Sequence, residues 1–395
     1  MRDLLRLVDE VAHGRISRRQ FLERGLAMGL SVGAIGSVLA ACGTKNDESA
    51  GGGGSASPTP MDTTKPDKLY LFNWQNEIAP ANKKKFKERT GIEIVESFYD
   101  DNEQLLAKLK AGATGYDLIV PTSYMVAIMI KTGLLEPLDL SFIPSLKNLT
   151  PAFQTLSYDD PAQQDGKRYA VPYLWGNAGV AARLDKVTEF TQMVAGSTPS
   201  WAILWDEQFK GQINMLNDER ETIGAALKLQ GYSFNSTSQS ELDAAQQKLI
   251  EQKPLVRAYD SLNMKRNIVA GTPLVHTWNG DAYLAQDELG ETKVAYVLPS
   301  EGFSVWVDNL CIPQGFKSKY GAHLFMDFIC EPENAADLVN FVQYLSPNAA
   351  AESLIDPKIV ARTPDEETMK RSELLDDVGE AVRMWDEAWQ QVKGA

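Results

Sequence analysis

The stretch 116-YDLIVPTS-123 decides the fold class, because a nearly continuous apolar run is typical of a strand buried in a parallel sheet. A helical pattern that ends in glycine, 103-EQLLAKLKAG-112, comes directly before it. Two further β-rich runs, 69-LYLFNW-74 and 92-IEIVESFY-99, lie upstream with a helical pattern between them. This alternation of strands and helices predicts βαβ units and a parallel sheet.

The ends of these strands supply the first candidate residues. Ligands bind beyond the carboxyl ends of parallel strands, so the sequence places Trp74, the loop after Tyr99 and 122-TSY-124 on one rim. The run 169-YAVPYLWGNAGVAA-182 reads as extended structure that crosses into a second lobe. A new strand and helix alternation follows from about residue 211, and helical patterns continue to the C-terminus.

Composition limits the classes of partner. The 395-residue chain has a formal net charge of -14, which argues against nucleic acid and fits a cationic ligand weakly. It contains only three Cys and three His, too few for a zinc framework or a disulfide-dense scaffold. No cofactor is implied.

The N-terminal segment predicts an export signal rather than part of the fold. Paired arginines in 17-SRRQFL-22 precede an uncharged, Gly-rich run that ends at 39-LAAC-42. The pattern resembles a twin-arginine lipoprotein signal over residues 1–41, with Cys42 as the lipidated first residue of the mature chain. The Gly, Ser, Thr and Pro-rich tract over 42–67 predicts a flexible tether. We therefore expect a body anchored by lipid at the outer face of the cytoplasmic membrane or in the periplasm.

Four clusters carry the chemistry: three combine an acidic residue with Trp, and one is a pair of acidic residues. Each member has a structural explanation, since a Trp is more often core and an Asp at a helix start is more often a cap. Trp faces attract alkylammonium groups by roughly 0.5–2 kcal/mol each, and carboxylates accept charge-assisted hydrogen bonds. Together they predict a flexible organic polycation as the ligand. The clusters are Trp74 with Glu77, Asp218 with Glu221, Trp278 with Asp281, and Trp306 with Asp308.

The last cluster lies in 305-VWVDN-309. Strand alternation puts Val305 and Val307 on one face and Trp306 and Asp308 on the other. Alone, this alternation is compatible with a strand at a sheet edge. Beside the other clusters, its polar face predicts half of an ammonium-binding site.

From about residue 68 to the C-terminus the chain resembles bacterial spermidine/putrescine-binding proteins of ABC-type polyamine transporters, in a lipoprotein form. The resemblance implies an α/β, two-lobed periplasmic-binding-protein fold of type II, with the ligand in the cleft between the lobes. It also implies lobe 1 over 68–174, lobe 2 over 175–306, a return to lobe 1 over 307–350, and C-terminal helices over 351–395 that pack mainly on lobe 2. The matching segments are 70-YLFNWQNEIAP-80, 99-YDDNEQLLAKLKAG-112, 116-YDLIVPTSY-124, 170-AVPYLWG-176, 278-WNGD-281 and 306-WVD-308.

By this resemblance, Trp306 and Asp308 are the main anchor and Trp278 lies along the methylene groups of the ligand. The implied function is capture of spermidine or putrescine by a monomer that closes like a hinge, docks on a membrane permease and makes or breaks no bond. The implied ligand-binding positions are Trp74, Glu77, Tyr124, Asp218, Glu221, Ser261, Trp278, Asp281, Trp306 and Asp308.

Two departures from the family pattern put the chain length of the polyamine in doubt. After the first Trp, relatives have a small hydroxyl residue, an acid and Tyr, whereas this chain has Gln75, Asn76 and Glu77. Leu375 stands where spermidine binders can use Gln. A binding protein of the same fold that takes agmatine, thiamine or another solute therefore stays open as an alternative.

An extracellular hydrolase is the more remote alternative. The only G-x-S-x-G run, 29-GLSVG-33, lies within the export signal. His276 follows an apolar residue on a predicted strand, which favours a structural role. Cys311 and Cys330 are compatible both with a disulfide and with two buried thiols.

Overall fold

The computed structural model describes residues 61–187, 199–316 and 319–395. The predicted signal segment 1–41, the predicted lipidation site Cys42 and most of the predicted tether lie outside the described residues.

The first lobe begins with the predicted parallel sheet. β1 (Lys68–Asn73) pairs in parallel with β2 (Glu93–Phe98) on one side and with β3 (Leu118–Ile119) on the other. β3 forms only two residues of ladder, shorter than the predicted run over 116–123, and Pro121 soon afterwards has no N–H to donate. The helices of this segment are α1 (Pro80–Thr90), α2 (Asn102–Lys110), α3 (Ser123–Lys131) and the short α4 (Pro151–Gln154).

Two long antiparallel strands connect the lobes. β4 (Ala170–Arg183) starts opposite Cys311 and ends beside strands of the second lobe. β9 (Phe303–Cys311) runs the other way and pairs with β4 and β3. All nine residues of β9 are buried, so the strand that contains 305-VWVDN-309 lies inside the sheet. The alternative of a strand at a sheet edge, with which the alternation alone is compatible, is therefore excluded.

The second lobe repeats the alternation of strands and helices. Beyond β9 and β4 the sheet continues with β7 (Leu274–Trp278), β5 (Ile213–Met215) and β6 (Val256–Tyr259), and β8 (Val294–Val297) pairs with β4. The strand that ends at Trp278 is followed directly by a helix that begins at Asn279. The elements are β5 (Ile213–Met215), α5 (Glu219–Leu229), α6 (Gln239–Gln252), β6 (Val256–Tyr259), α7 (Met264–Val269), β7 (Leu274–Trp278), α8 (Asn279–Leu289) and β8 (Val294–Val297).

The C-terminal part of the chain divides between the lobes. Residues 349–360 pack against the end of α10 (Pro332–Val342), where Ile355 and Ile359 share a core with Val339. The last helix, α13 (Val382–Gly394), packs on α5 and α6 through Trp385 and Trp389. The elements are α9 (Lys319–Ile329), α10 (Pro332–Val342), α11 (Pro357–Val360), α12 (Glu366–Met369), β10 (Ser372–Leu374) and α13 (Val382–Gly394).

Among the described residues, no helix combines the length and apolar character that a membrane crossing requires.

Candidate functional site

A cavity of about 400 Å³ lies between the two lobes and is lined by residues from both lobes and from β9. All ten residues that the sequence singled out line this cavity. The ten are Trp74, Glu77, Tyr124, Asp218, Glu221, Ser261, Trp278, Asp281, Trp306 and Asp308.

Trp306 and Asp308 come from the crossing strand β9. The Trp306 ring meets the ring of Tyr344 edge-on, with centroids 4.8 Å apart. Gly176 on β4 makes room for it, since a Cβ at that position would lie 2.4 Å from Trp306 Cζ2. The Asp308 carboxylate accepts a hydrogen bond of 2.7 Å from the hydroxyl of Thr122, and burial raises its pKa to about 7.

Trp74 follows β1 and brings the first lobe's aromatic wall to the cavity. Its indole Nε1 donates to the carbonyl of Val120 over 3.0 Å, which fixes the ring. Its ring lies 4.6 Å from Tyr99 and 6.4 Å from Trp278 of the second lobe, centroid to centroid. Aromatic faces from both lobes therefore border the same space.

Glu77 is the acid that stands one position later here than in the family pattern, and it lies in the wall of the cavity. Asn76 before it has a left-handed backbone with φ 65°, a conformation that Asn tolerates better than most residues. The hydroxyl of Tyr173 donates to Glu77 Oε2 over 2.7 Å. Burial, and next the nearby charge of Asp308, raise the pKa of Glu77 well above its usual value.

Asp218 and Glu221 form the acidic pair of the second lobe. Asp218 caps α5 by accepting from the backbone N–H of Glu221 at 2.9 Å, so the structural and the cavity-lining readings of this residue are both correct. Glu221 Oε2 accepts from the hydroxyl of Ser304 at 2.6 Å, while its Oε1 has no protein partner. Burial raises the pKa of Asp218 to about 6, and burial with the charge of Asp218 raises that of Glu221 to about 8.

Asp281 and Ser261 complete the second-lobe wall. Asp281 accepts from the backbone N–H of Lys265 over 3.3 Å, and burial raises its pKa to about 6. The hydroxyl of Ser261 is buried and has no hydrogen-bond partner. It is available to a molecule in the cavity.

The cavity holds an excess of negative charge. Within the described part of the chain, none of the six carboxylates that line it forms an ion pair with Lys or Arg; the six belong to Glu77, Asp100, Asp218, Glu221, Asp281 and Asp308. Lys265 and Arg266 also line the cavity, but the ammonium of Lys265 pairs with Glu288 at 3.0 Å. Buried carboxylates without a cation are costly, so the arrangement suits a ligand that brings positive charge into an aromatic enclosure.

Several lining residues escaped the sequence reasoning. Tyr344 stands alone in a loop after α10, and Thr122 was noted only as part of a rim. Tyr173 does not line the cavity but orients Glu77 from β4. Its position in the extended run 169–182 was the one available signal in the sequence. Leu375, noted as a departure, does line the cavity.

The remaining candidates lie elsewhere. His276 is buried beside Trp201 with neither ring nitrogen hydrogen-bonded, and burial lowers its pKa to about 3. Cys311 and Cys330 are free, buried thiols. The described ranges contain no cluster of His, Cys, Asp and Glu arranged to hold a metal ion.

The chain is similar in sequence to known solute-binding proteins. A sequence model of the bacterial extracellular solute-binding protein family matches residues 81–368. The spermidine/putrescine-binding periplasmic protein of Salmonella typhimurium is 33% identical over 332 residues, which cover 83% of this chain and 92% of that protein. The putrescine/cadaverine-binding protein of Pseudomonas aeruginosa is 34% identical over 347 residues, or 84% of this chain and 94% of that protein.

Solved structures of similar proteins include a substrate-binding protein of the same kind. A spermidine/putrescine ABC transporter substrate-binding protein from Streptococcus pneumoniae is 30% identical and superposes with a TM-score of 0.66, covering 83% of this chain and 99% of that chain. This similarity confirms the predicted α/β, two-lobed periplasmic-binding-protein fold of type II.

Proposed function

This chain belongs to the bacterial extracellular solute-binding proteins, and from that premise we propose that it captures a polyamine, spermidine or putrescine, and delivers it to an ABC-type permease. In this function the protein binds and releases its ligand, and no bond is made or broken.

The single observation that carries the proposal is a set of six carboxylates, four of them buried, that line an aromatic cavity and form no ion pair with Lys or Arg. An alkylammonium group donates up to three hydrogen bonds and carries the charge that these carboxylates need. The methylene groups between two amines are apolar and lie favourably against indole rings. A polyamine offers both features in one flexible molecule.

The acids form two groups, which supports a ligand with charge at both ends. Glu77 lies near enough to Asp308 for the charge of one to raise the pKa of the other, and the same holds for Glu221 and Asp218. Trp74, Trp278 and Trp306 line the space that these pairs share. We assign one amine to the first pair and a second amine to the other.

The crossing strands support capture by closure of the lobes. β4 and β9 are the long connections between the lobes, and the cavity takes residues from both sides of them. Hinge motion about such connections encloses a ligand and presents a closed shape to a partner. The lobe boundaries predicted over 68–174, 175–306, 307–350 and 351–395 form part of this proposal.

The site of action follows from the relatives and from the sequence. The Salmonella relative is named a periplasmic protein, and residues 17–42 resemble a twin-arginine lipoprotein signal. We infer that the protein works as a monomer outside the cytoplasm, held to the membrane through Cys42. Mass spectrometry of the membrane fraction would detect the lipid on Cys42, and an unmodified thiol there would exclude the anchor.

Calorimetric titration tests the proposed ligand. We expect spermidine or putrescine to bind with measurable heat and with higher affinity than thiamine or agmatine. A preference for agmatine or thiamine would keep the transport role and change the ligand. Absence of heat with every polyamine, in a sample that unfolds cooperatively, would exclude polyamine capture.

A further inference from the structure

The lobes also touch through a polar contact outside the cavity, which we call the Asp287 cluster. Its second-lobe members, Tyr283, Gln286 and Asp287, lie on α8. Its other members are Gln343, directly after α10, and Lys358 and Arg362, in the segment that packs on α10. The cluster therefore joins an element of the second lobe to elements of the first.

Arg362 is the centre of the cluster. Its Nη2 donates to Asp287 Oδ1 over 2.9 Å and to Gln286 Oε1 over 3.0 Å. Its guanidinium lies over the ring of Tyr283, 4.3 Å from the centroid. A second guanidinium nitrogen donates to the side-chain carbonyl of Gln343. One side chain thus contacts three residues of α8 and the residue directly after α10.

Burial separates this contact from an ordinary surface ion pair. The Arg362 side chain is 8% exposed and that of Asp287 is 31% exposed. Lys358 also pairs with Asp287. Burial alone would raise the pKa of Asp287, but the hydrogen bonds from Lys358 and Arg362 hold it below its usual value. Exposed ion pairs contribute little to stability. A desolvated Arg that makes several hydrogen bonds also fixes the relative positions of its partners.

The same two elements carry cavity residues. Asp281 and Leu284 on α8 line the cavity, and Val342 and Tyr344 flank Gln343. Gln343 has a left-handed backbone with φ 63°, so the chain turns there, and its side chain reaches Asp287 while its neighbours face the cavity. At Gly280, a Cβ would lie 2.5 Å from Tyr344 Cε1, which shows how closely α8 approaches this turn.

We infer that Arg362 is a positioning residue that holds the two lobes together beside the cavity through Asp287 and Gln343. The inference rests on the proposed function, because it assigns to this contact the task of slowing ligand release. Arg362 does not line the cavity, so its effect passes through the positions of α8 and Tyr344. When the lobes separate, the ion pair between Asp287 and Arg362 breaks and both side chains must be rehydrated.

The first test measures release. In Arg362→Ala we expect the dissociation rate of bound spermidine, followed by stopped-flow tryptophan fluorescence, to rise roughly tenfold with little change in association rate. Arg89→Ala is the matched control, because Arg89 pairs with Glu331 at 2.6 Å within the first lobe. An unchanged dissociation rate in a folded Arg362→Ala variant would overturn the inference.

A second test does not need a ligand. Spin labels on cysteines introduced at Glu88 and Glu251, which are exposed on α1 and α6, report the distance between the lobes. In the free chain we expect Arg362→Ala, but not Arg89→Ala, to shift the distribution to longer distances. This shift would support the contact even if spermidine failed to bind, whereas an unchanged distribution would overturn it.

Asp287→Ala provides the second variant if loss of Arg362 prevents folding. Combining both substitutions completes a double-mutant cycle, and Arg362→Lys keeps the charge while losing the planar fork. We expect the two alanine variants to be non-additive in dissociation rate. Additive effects would show that the two side chains act independently and would overturn the inference.

Discussion

At the scale of single residues, the cavity is defined by polar atoms that the protein leaves without partners. Glu221 Oε1 and Ser261 Oγ are buried, border the cavity and accept no protein hydrogen bond. A buried acceptor without a donor costs roughly 1–3 kcal/mol or more. An ammonium N–H would relieve that cost, which links these atoms to binding.

Asp308→Asn should weaken spermidine or putrescine affinity more than tenfold, since the variant removes a desolvated charge partner. Glu88→Gln is the control, because that carboxylate lies on the surface of α1. Titration calorimetry gives both affinities. Equal affinity of Asp308→Asn and the native chain would remove Asp308 from the binding site.

Tyr173→Phe should weaken binding by less than Glu77→Gln. The hydroxyl of Tyr173 orients Glu77, whereas Glu77 supplies the charge. Loss of one such hydrogen bond costs about 1–3 kcal/mol. Loss of the Glu77 carboxylate also removes its electrostatic attraction to the ligand. Titration of both variants ranks them. A larger effect from Tyr173→Phe would mean that Tyr173 contacts the ligand itself.

Sequence reasoning found the residues whose chemistry is visible in the chain. An indole close to a carboxylate after an apolar run is distinctive, and all three such clusters line the cavity, together with the acidic pair Asp218 and Glu221. Thr122 and Tyr344 were not singled out, because a lone hydroxyl or aromatic in a loop has no pattern. Their roles depend on which strands meet, and that is fixed by tertiary pairing.

At the scale of elements, β9 shows how one strand serves both packing and site. Strand alternation correctly placed Trp306 and Asp308 on one face, yet it could not say that both faces are covered. A strand buried on both faces and one at an edge can share a sequence pattern when the buried polar face lines a cavity. The local pattern of 305-VWVDN-309 therefore could not give its place in the sheet.

Gly176→Ala should disturb β4 and β9 together. The added Cβ would lie 2.4 Å from Trp306 Cζ2 and 2.5 Å from Asn279 Oδ1. Both of these side chains are buried. Overpacking of this kind costs typically about 1–3 kcal/mol. We expect a lower melting temperature and weaker polyamine binding.

Thermal unfolding with calorimetry checks this, and Gly394→Ala is the control because nothing lies within 4 Å of that position. A Gly176→Ala variant with native stability and affinity would show that β4 moves freely away from Trp306.

At the scale of the whole molecule, the cavity acids couple stability and binding to pH in opposite directions. Burial raises the pKa of Asp308 to about 7 and of Asp218 and Asp281 to about 6. A carboxyl group with a raised pKa in the folded state stabilises that state below its unfolded pKa. This contribution is lost as pH rises through the folded pKa.

The ligand-free chain should therefore melt at a lower temperature at about pH 8 than at about pH 5.5. Polyamine binding favours the ionised acids, so affinity should rise over the same window. Thermal unfolding with and without spermidine measures both trends. Stability of the free chain that increased steadily to pH 8 would contradict the assignment of raised pKa values to these acids.

The antiparallel pairing of Ile119 with Cys311 bears on how the chain is made. The first lobe's sheet lacks its next strand until β9 has been synthesised. At about 5–20 residues per second, that interval is on the order of ten seconds or more. During synthesis β3 presents an unpaired edge, which invites association with other nascent chains. The first lobe thus completes its sheet only late, after most of the polypeptide has left the ribosome.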